Sequence, residues 1–426
     1  MITNPANDAR RPGLNYVLSI LGPGILYAGA AVGISHLVQA TRAGAVYGLG
    51  MTSLILLACL MKYPALRFGG EFSAASGKTL IQNYRETGWW AIGLYVLTQV
   101  FSMCFAIAAV TLVTVGVIKT TFNITAADLW VAIAVLAMAT IFLLSGRYHL
   151  LERLTKLIVA VFTVLIAVTT VLVISRIEWS WSGLLPPAFT PGTIAFVIAL
   201  IGFMPTPMDA CVLQSLWTVA QGKDRGRMPT PAESRLDFTI GFTISGVLAF
   251  CFMLMGVGIM YRSGIEPVQG AAGFAAQVIA LFTTVIGDWV YPIIAVAALA
   301  VMFSTLLTIL DGYPRMLEAV VETVLPPQTR QGLAFKVYDA CVILVAAGVI
   351  AVISLFMRSF TAFIDMTAAI VFLTGPILAW LNHRAMWSED VPVVDRPGLA
   401  MRIWSIVGII MMVVLAGLFI HVRLTI

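Results

Sequence analysis

The strongest constraint on this chain is a succession of apolar runs, each close to the ~20 residues an α-helix needs to cross ~30 Å of hydrocarbon. Eleven can be drawn, at about 16 to 43, 47 to 66, 89 to 117, 127 to 145, 154 to 175, 192 to 219, 236 to 260, 288 to 310, 336 to 356, 360 to 381 and 401 to 421. Lipid offers no partner to a backbone amide, so each run must close its hydrogen bonds on itself. Composition agrees: 60% of the residues are hydrophobic and 11% charged, where a soluble domain would carry roughly 25% charge. The reading is an all-α polytopic membrane protein, one integral domain over residues 1–426 with short connections. The apolar run from 271 to 287 is short and follows Pro267, so it is expected to lie as a helix on the outer surface without crossing.

Two of the runs are interrupted. The first, GAAVGISHLVQATRAG from Gly29 to Gly44, carries Gly33, Ser35 and His36 at its middle; the sixth carries MPTPMDA, from Met204 to Ala210, with two prolines and an aspartate. Irregular backbone at membrane depth survives only where it is buried in protein or lines a cavity. Broken spans in corresponding halves of a chain point to a transporter binding site.

Counting lysines and arginines sets the expected orientation. With the N-terminus in the cytoplasm, 19 of the 25 fall on the inner side, and only Arg42, Lys119, Arg176, Arg262, Arg358 and Arg423 fall outside. Cytoplasmic loops carry such an excess. The net charge of +5 is then topology, and no nucleic-acid partner is implied. The expected location is a plasma membrane, the inner membrane of a bacterium, with the C-terminus outside. A cleavable leader is not expected, because the first apolar run exceeds the core of a signal peptide. The connections Lys62 to Gly88, Gln221 to Asp237 and Asp311 to Ala334 hold most of the charge and read as solvated faces.

Ser-Gly-Lys-Thr-Leu from Ser76 to Leu80 has the end of a phosphate-binding loop, but Phe72 stands where that loop needs glycine. No nucleotide partner and no cofactor are expected, and any transport would run on gradients. Five cysteines scattered through apolar runs suggest neither disulfides nor zinc. An intramembrane enzyme is disfavoured: Val285-Ile286-Gly287-Asp288 lacks the first glycine of an aspartyl-protease motif, and Ser35 has no histidine in a second span to act as its base. A channel on the same architecture stays open, since fold alone does not decide function.

The first interrupted run resembles the first span of the NRAMP family of proton-coupled divalent-metal transporters. Gly22-Pro23, Ala43-Gly44 and Tyr47-Gly48 match the flanks of that span, and Gly77-Lys78 with Leu80 resembles a later family segment. The centre departs: the family's metal-binding Asp and Asn fall on Gly33 and His36, and its Pro and Gly on Ile34 and Ser35. In the second break Met204 and Pro205 match the family's methionine and proline, whereas Thr206, Pro207 and Cys211 replace its His, Asn and later His. The resemblance implies eleven transmembrane helices in a LeuT/APC-type five-plus-five inverted repeat, with helices 1 and 6 broken and the eleventh extra. Repeat one would cover about 16–175, repeat two about 192–381 and the extra helix about 401–421.

It also implies a divalent-metal carrier working by alternating access with protons. The candidate substrate-binding residues are Gly33, Ser35, His36, Ile201, Met204, Thr206 and Asp209, with carbonyls freed at Gly33 and Ile201. His36, Met204 and Asp209 are the candidate metal ligands: a dehydrated dication wants oxygen or nitrogen donors and a nearby negative charge, and the resemblance puts the family's metal-ligating thioether at Met204. Asp209 is read as a helix cap, a substrate or proton site, or the partner of a distant cation; His36 as a ligand, a proton acceptor or a satisfied interior residue. A coupled His36–Asp209 pair across the cavity would carry protons. The lost Asp and Asn leave a second reading open, a carrier of another ion or a small organic solute.

Overall fold

A computed structural model describes residues 20–145, 148–326, 336–357 and 359–425. Arg10, Arg11, Arg147, Arg330 and Arg358, all used in the charge count, lie outside the described residues. The helices are α1 (Pro23–Ala31), α2 (Thr41–Tyr47), α3 (Thr52–Ser76), α4 (Leu80–Thr87), α5 (Trp89–Phe122), α6 (Asp128–Leu144), α7 (Tyr148–Ile174), α8 (Pro191–Phe203), α9 (Ala210–Arg225), α10 (Pro231–Met255), α11 (Ala271–Ile286), α12 (Tyr291–Val324), α13 (Val337–Phe356), α14 (Phe360–Met386) and α15 (Leu399–Thr425). Wider π turns, Ser35–Ala40 and Gly256–Tyr261, lead into α2 and extend α10. Helix 1 of the bundle is thus α1 plus α2, and helix 6 is α8 plus α9.

Local sequence explains many of the ends. Pro191 and Pro231 open their helices, where a missing N–H costs nothing, and the Thr190 and Thr230 hydroxyls cap the amides of Thr193 and Glu233. Gly77, at φ 71°, closes α3 in the left-handed region. Pro64 lies inside α3 and leaves the Leu60 carbonyl without its helical donor. The Trp404 indole on α15 donates to that oxygen at 2.8 Å, which ties the eleventh helix to the bundle.

Cross-contacts sort the helix ends onto two faces. On one, the Gly22 and Gly24 amides donate to Asp237 at 3.0 and 2.7 Å, and Lys78 pairs with Asp390 at 2.7 Å. On the other, Arg262 donates to the Arg176 carbonyl at 2.6 Å. Exposed tryptophans near the ends, among them Trp89, Trp130 and Trp289, fit the level of lipid headgroups. Helix α11 packs on α5, and both its flanks meet Thr120, through the Ala272 carbonyl at 2.7 Å and the Tyr291 hydroxyl at 3.4 Å. The start of α11 and the start of α12 therefore lie close together beside the end of α5.

The charged connections are the main correction. α3 runs to Ser76 and α12 to Val324, so stretches expected as solvated loops are helical. Lys62 is 1% exposed, and Arg67 and Glu71 are buried with it. Arg67 reaches Glu71 one turn away at 2.7 Å, and Arg235 crosses from α10 to the same carboxylate at 2.6 Å. Apolar patterning set the end of the span too early because Lys62, Arg67 and Glu71 find hydrogen-bond partners inside the bundle and stay buried there.

Both halves of helix 1 lie along α10 on glycine. A Cβ on Gly24 would stand 2.1 Å from the Asp237 carbonyl oxygen, and one on Gly44 would stand 2.0 Å from that of Met253. Such close backbone approach is what small residues permit between membrane helices. It fixes both sides of the first break against one rigid partner.

Candidate binding site between two broken helices

Helix 1 breaks at Val32–Ile34. Val32 leaves helical geometry at ψ 78°, and the chain restarts when the His36 and Leu37 amides bond to the Gly33 carbonyl at 3.2 and 2.9 Å. That carbonyl is not free to bind a substrate, contrary to expectation. Gly33 itself packs on Thr305 of α12, whose hydroxyl donates to the Val32 carbonyl at 3.4 Å.

His36 is fully buried and turned toward α10. Its Nε2 lies 2.8 Å from the Ser245 carbonyl, which only accepts, so this nitrogen carries a hydrogen. Nδ1 lies 2.7 Å from the Ser35 hydroxyl, which is also 2.6 Å from the Ala31 carbonyl. The single hydroxyl hydrogen has two acceptors within reach. Either it points to Nδ1 and the ring is neutral, or it points to Ala31 and Nδ1–H donates to Ser35, making the ring a cation. In both states neither nitrogen has a free lone pair.

Helix 6 breaks between Phe203 and Ala210. Pro205 and Pro207 cannot supply the amides that would close the carbonyls of Ile201 and Phe203 four residues earlier. Lys62 enters this break from α3 and donates to the carbonyls of Gly202 and Thr206 at 2.8 and 2.9 Å. Asp209 holds the capping position of α9 without capping it; its carboxylate instead accepts from the Tyr313 hydroxyl at 2.6 Å. Cys211 faces α14, where Asn382 donates to its sulfur at 2.8 Å and to the Ala65 carbonyl at 3.0 Å.

A cavity of about 60 Å³ lies between the breaks, and its wall includes Ser35, Thr206, Asp209, Thr305 and Tyr313 beside apolar neighbours such as Ile34 and Phe203. A water needs roughly 10–15 Å³ on this measure. The space suits a bare ion with some water. Of the expected residues, the structure brings Ser35, Thr206 and Asp209 to this wall. Gly33, His36, Ile201 and Met204 are close in the chain but do not line it. Among the described residues no three His, Cys, Asp or Glu side chains gather as a metal site.

Beyond the break of helix 1, Arg42 grips Asp365 of α14 with two bonds, at 2.7 and 3.0 Å, while Gln39 adds a third at 3.1 Å. The same guanidinium lies over the Phe196 ring of α8, 5.1 Å from its centroid. Asp365 is therefore paired. Asp311 is likewise engaged, by Arg315 at 2.7 Å and by the Tyr338 hydroxyl.

The architecture and the two breaks are those of a known transporter lineage. The model of Natural resistance-associated macrophage protein-like chains, Nramp, matches residues 24–421. The chain belongs to the Nramp family. An uncharacterized protein of Pasteurella multocida (strain Pm70) is 30% identical over 369 residues, covering 85% of this chain and 83% of that protein. Among solved structures, a mutant of the Eremococcus coleocola manganese transporter superposes with a TM-score of 0.70 at 14% identity, covering 94% of this chain and 86% of that one. MhsT in complex with L-phenylalanine gives 0.62 at 14% identity, over 92% and 98%. These likenesses establish the LeuT-type fold of this Nramp chain. Family members are membrane-embedded metal-ion transporters and not enzymes.

Lys62, Tyr313 and Ser245 were not among the candidates from sequence, and Thr305 stood there only as a weaker one, grouped with Asp311 on a coupling-ion path. Lys62 had a signal: it lies four residues inside the expected second span, where a charge is functional by default. The others are ordinary polar residues in apolar runs, and only the packing of α10 and α12 on the breaks singles them out.

Proposed function

We propose that this Nramp-family chain is a secondary active carrier that alternates access about its broken helices and exchanges a proton for a small monovalent cation at Asp209. The observation that carries this reading is the donor set on the cavity wall. Ser35, Thr206, Asp209, Thr305 and Tyr313 offer oxygen only, whereas the nitrogens of His36 are committed and Met204 lies off the wall. Oxygen suits hard ions, and softer transition metals favour nitrogen and sulfur. One carboxylate balances one positive charge, whether a proton or the cargo. A dication would keep an uncompensated charge in a buried site, which is costly. The orientation proposed is N-terminus in the cytoplasm, from the charge bias.

Purified chain in proteoliposomes with an internal pH dye tests the proposal. Imposed gradients of lithium, sodium or potassium are expected to drive opposite proton movement in the wild type and none in Asp209→Asn. Calorimetric titration with manganese, cadmium and magnesium is expected to give no saturable heat. Saturable manganese or cadmium binding with Asp209-dependent flux would overturn the proposal in favour of a divalent-metal carrier.

A further inference from the structure

The amine of Lys62 is placed inside the bundle, 1% exposed. Its two partners are backbone carbonyls, Gly202 at 2.8 Å and Thr206 at 2.9 Å, and neither is a carboxylate. Gly202 belongs to the last turn of α8, where carbonyls lack helical donors and the helix dipole presents its negative end. Thr206 lies in the unwound segment beyond it. Half-helix C-terminal ends and unwound carbonyls are the groups that coordinate cations in carriers with broken helices. Hydrogen bonding to a charged donor is worth more than to a neutral one, so such carbonyls hold an ammonium well.

We infer that Gly202 and Thr206 form a monovalent-cation site at the break of helix 6, and that Lys62 fills it permanently as a tethered cation. The attachment point is suited to the task. α3 approaches α9 so closely that a Cβ on Gly69 would stand 2.1 Å from the Cys211 carbonyl oxygen. The lysine stem thus joins the end of α8, the unwound turn and the α3–α9 contact. Held there, the amine occupies the break whatever ions surround the membrane. This role is separate from the exchange proposed at Asp209 and holds for any cargo.

Chemical rescue tests it. The full chain carrying Lys62→Ala is purified in N-methylglucamine chloride, a cation too large for the vacated position, and its melting temperature is followed as ammonium, methylammonium or potassium chloride is added. Loss of the two bonds is expected to lower the midpoint by about 5 °C, and the small cations to restore it saturably. Wild type and Lys62→Met, in which an uncharged chain of similar length fills the space, are expected to stay flat. No response of Lys62→Ala, or an equal response of Lys62→Met, would overturn the inference. If Lys62→Ala survives purification only with ammonium present, the site stands; if it fails in both buffers while Lys62→Met folds and is insensitive to cations, it falls.

Discussion

Tyr313 donates its phenolic hydrogen to Oδ2 of Asp209 over 2.6 Å, joining α12 to the point where helix 6 restarts. Both residues line the cavity, so the bond is made by the groups a cargo would meet. Asp209→Asn is expected to abolish proton-linked flux, since an amide neither binds nor releases a proton in this range. Tyr313→Phe keeps the carboxylate but removes a bond to a charged acceptor, worth about 1.5–3 kcal/mol. Flux measured against cargo concentration is expected to show apparent affinity weakened about ten- to a hundredfold with the maximal rate retained. Equal loss of both parameters would mean that Tyr313 serves the fold only.

The Arg42–Asp365 pair holds α2 against α14. With side chains 11% and 30% exposed, it is shielded enough to count and accessible enough to open. Asp365→Asn is expected to shift the chain toward a state open on the side of this pair, by about tenfold for the loss of about 1.4 kcal/mol. The check is the rate at which Ser35→Cys, in a chain with its native cysteines replaced, reacts with a thiol reagent applied from the Arg42 side. An unchanged rate would show that the pair does not gate the cavity.

His36 joins the break of helix 1 to α10, and its bonds leave no nitrogen for a metal. Removing it with His36→Ala leaves the Ser245 carbonyl without its imidazole donor and opens a cavity, at a cost of about 2–4 kcal/mol. His36→Gln can still donate to that carbonyl and is expected to lose less than half as much. Melting temperatures in detergent measure both. Cadmium is expected to raise neither the wild-type midpoint nor that of the variants; a wild-type rise lost in His36→Ala would make the imidazole a ligand.

Outside the membrane, Asp390 in the α14–α15 connection meets Lys78 and Asn83 at 2.7 and 2.8 Å. Partial burial works against its ionised form, yet the bonds from Lys78 and Asn83 hold the carboxyl below the usual range. A depressed carboxyl stabilises the fold above its unfolded value of about 3.9 and loses that contribution as pH falls through the lower folded value. Bonds to Asp390 and Glu86 raise Lys78, so its share is lost only as pH rises beyond the lysine range. Asp390→Asn should therefore lower stability slightly and evenly between about pH 5 and 9, by about 0.5 kcal/mol after screening, read as a small drop in melting temperature. The gap to wild type should close in stronger acid.

The pattern of apolar runs was enough to read the helical bundle, and glycine and proline marked both breaks at Gly33 and Pro205. Those signals are local: a lipid-spanning run and an interrupted one are recognisable without knowing any neighbour. The cavity wall was only partly legible, because which side of a break faces inward depends on packing. Gly44 and Gly24 draw helix 1 onto α10, and that rotation carries His36 to Ser245 while leaving Ser35 on the wall. Lys62 was read as a loop charge because its compensation comes from carbonyls 140 and 144 residues away. No spacing along the chain records such a pairing.

The same glycine packing yields a contrast within one helix. Gly24 and Gly29 both lie in α1, and on helix propensity alone alanine would improve each by up to about 1 kcal/mol. Their surroundings differ: a Cβ at 24 would stand 2.1 Å from the Asp237 carbonyl oxygen, whereas one at 29 meets nothing within 4 Å. Backbone cannot yield as a flexible side chain would, so Gly24→Ala must push α1 off α10 and strain the two amide bonds that Asp237 accepts from Gly22 and Gly24. The cost expected is about 1–3 kcal/mol for overpacking, with the lost bonds added. Gly29→Ala is expected to be neutral or slightly stabilising. Melting temperatures of the two variants in one detergent decide it, and a similar drop for both would mean that α1 is sensitive to helix stiffness and that contact with α10 is not what Gly24 protects.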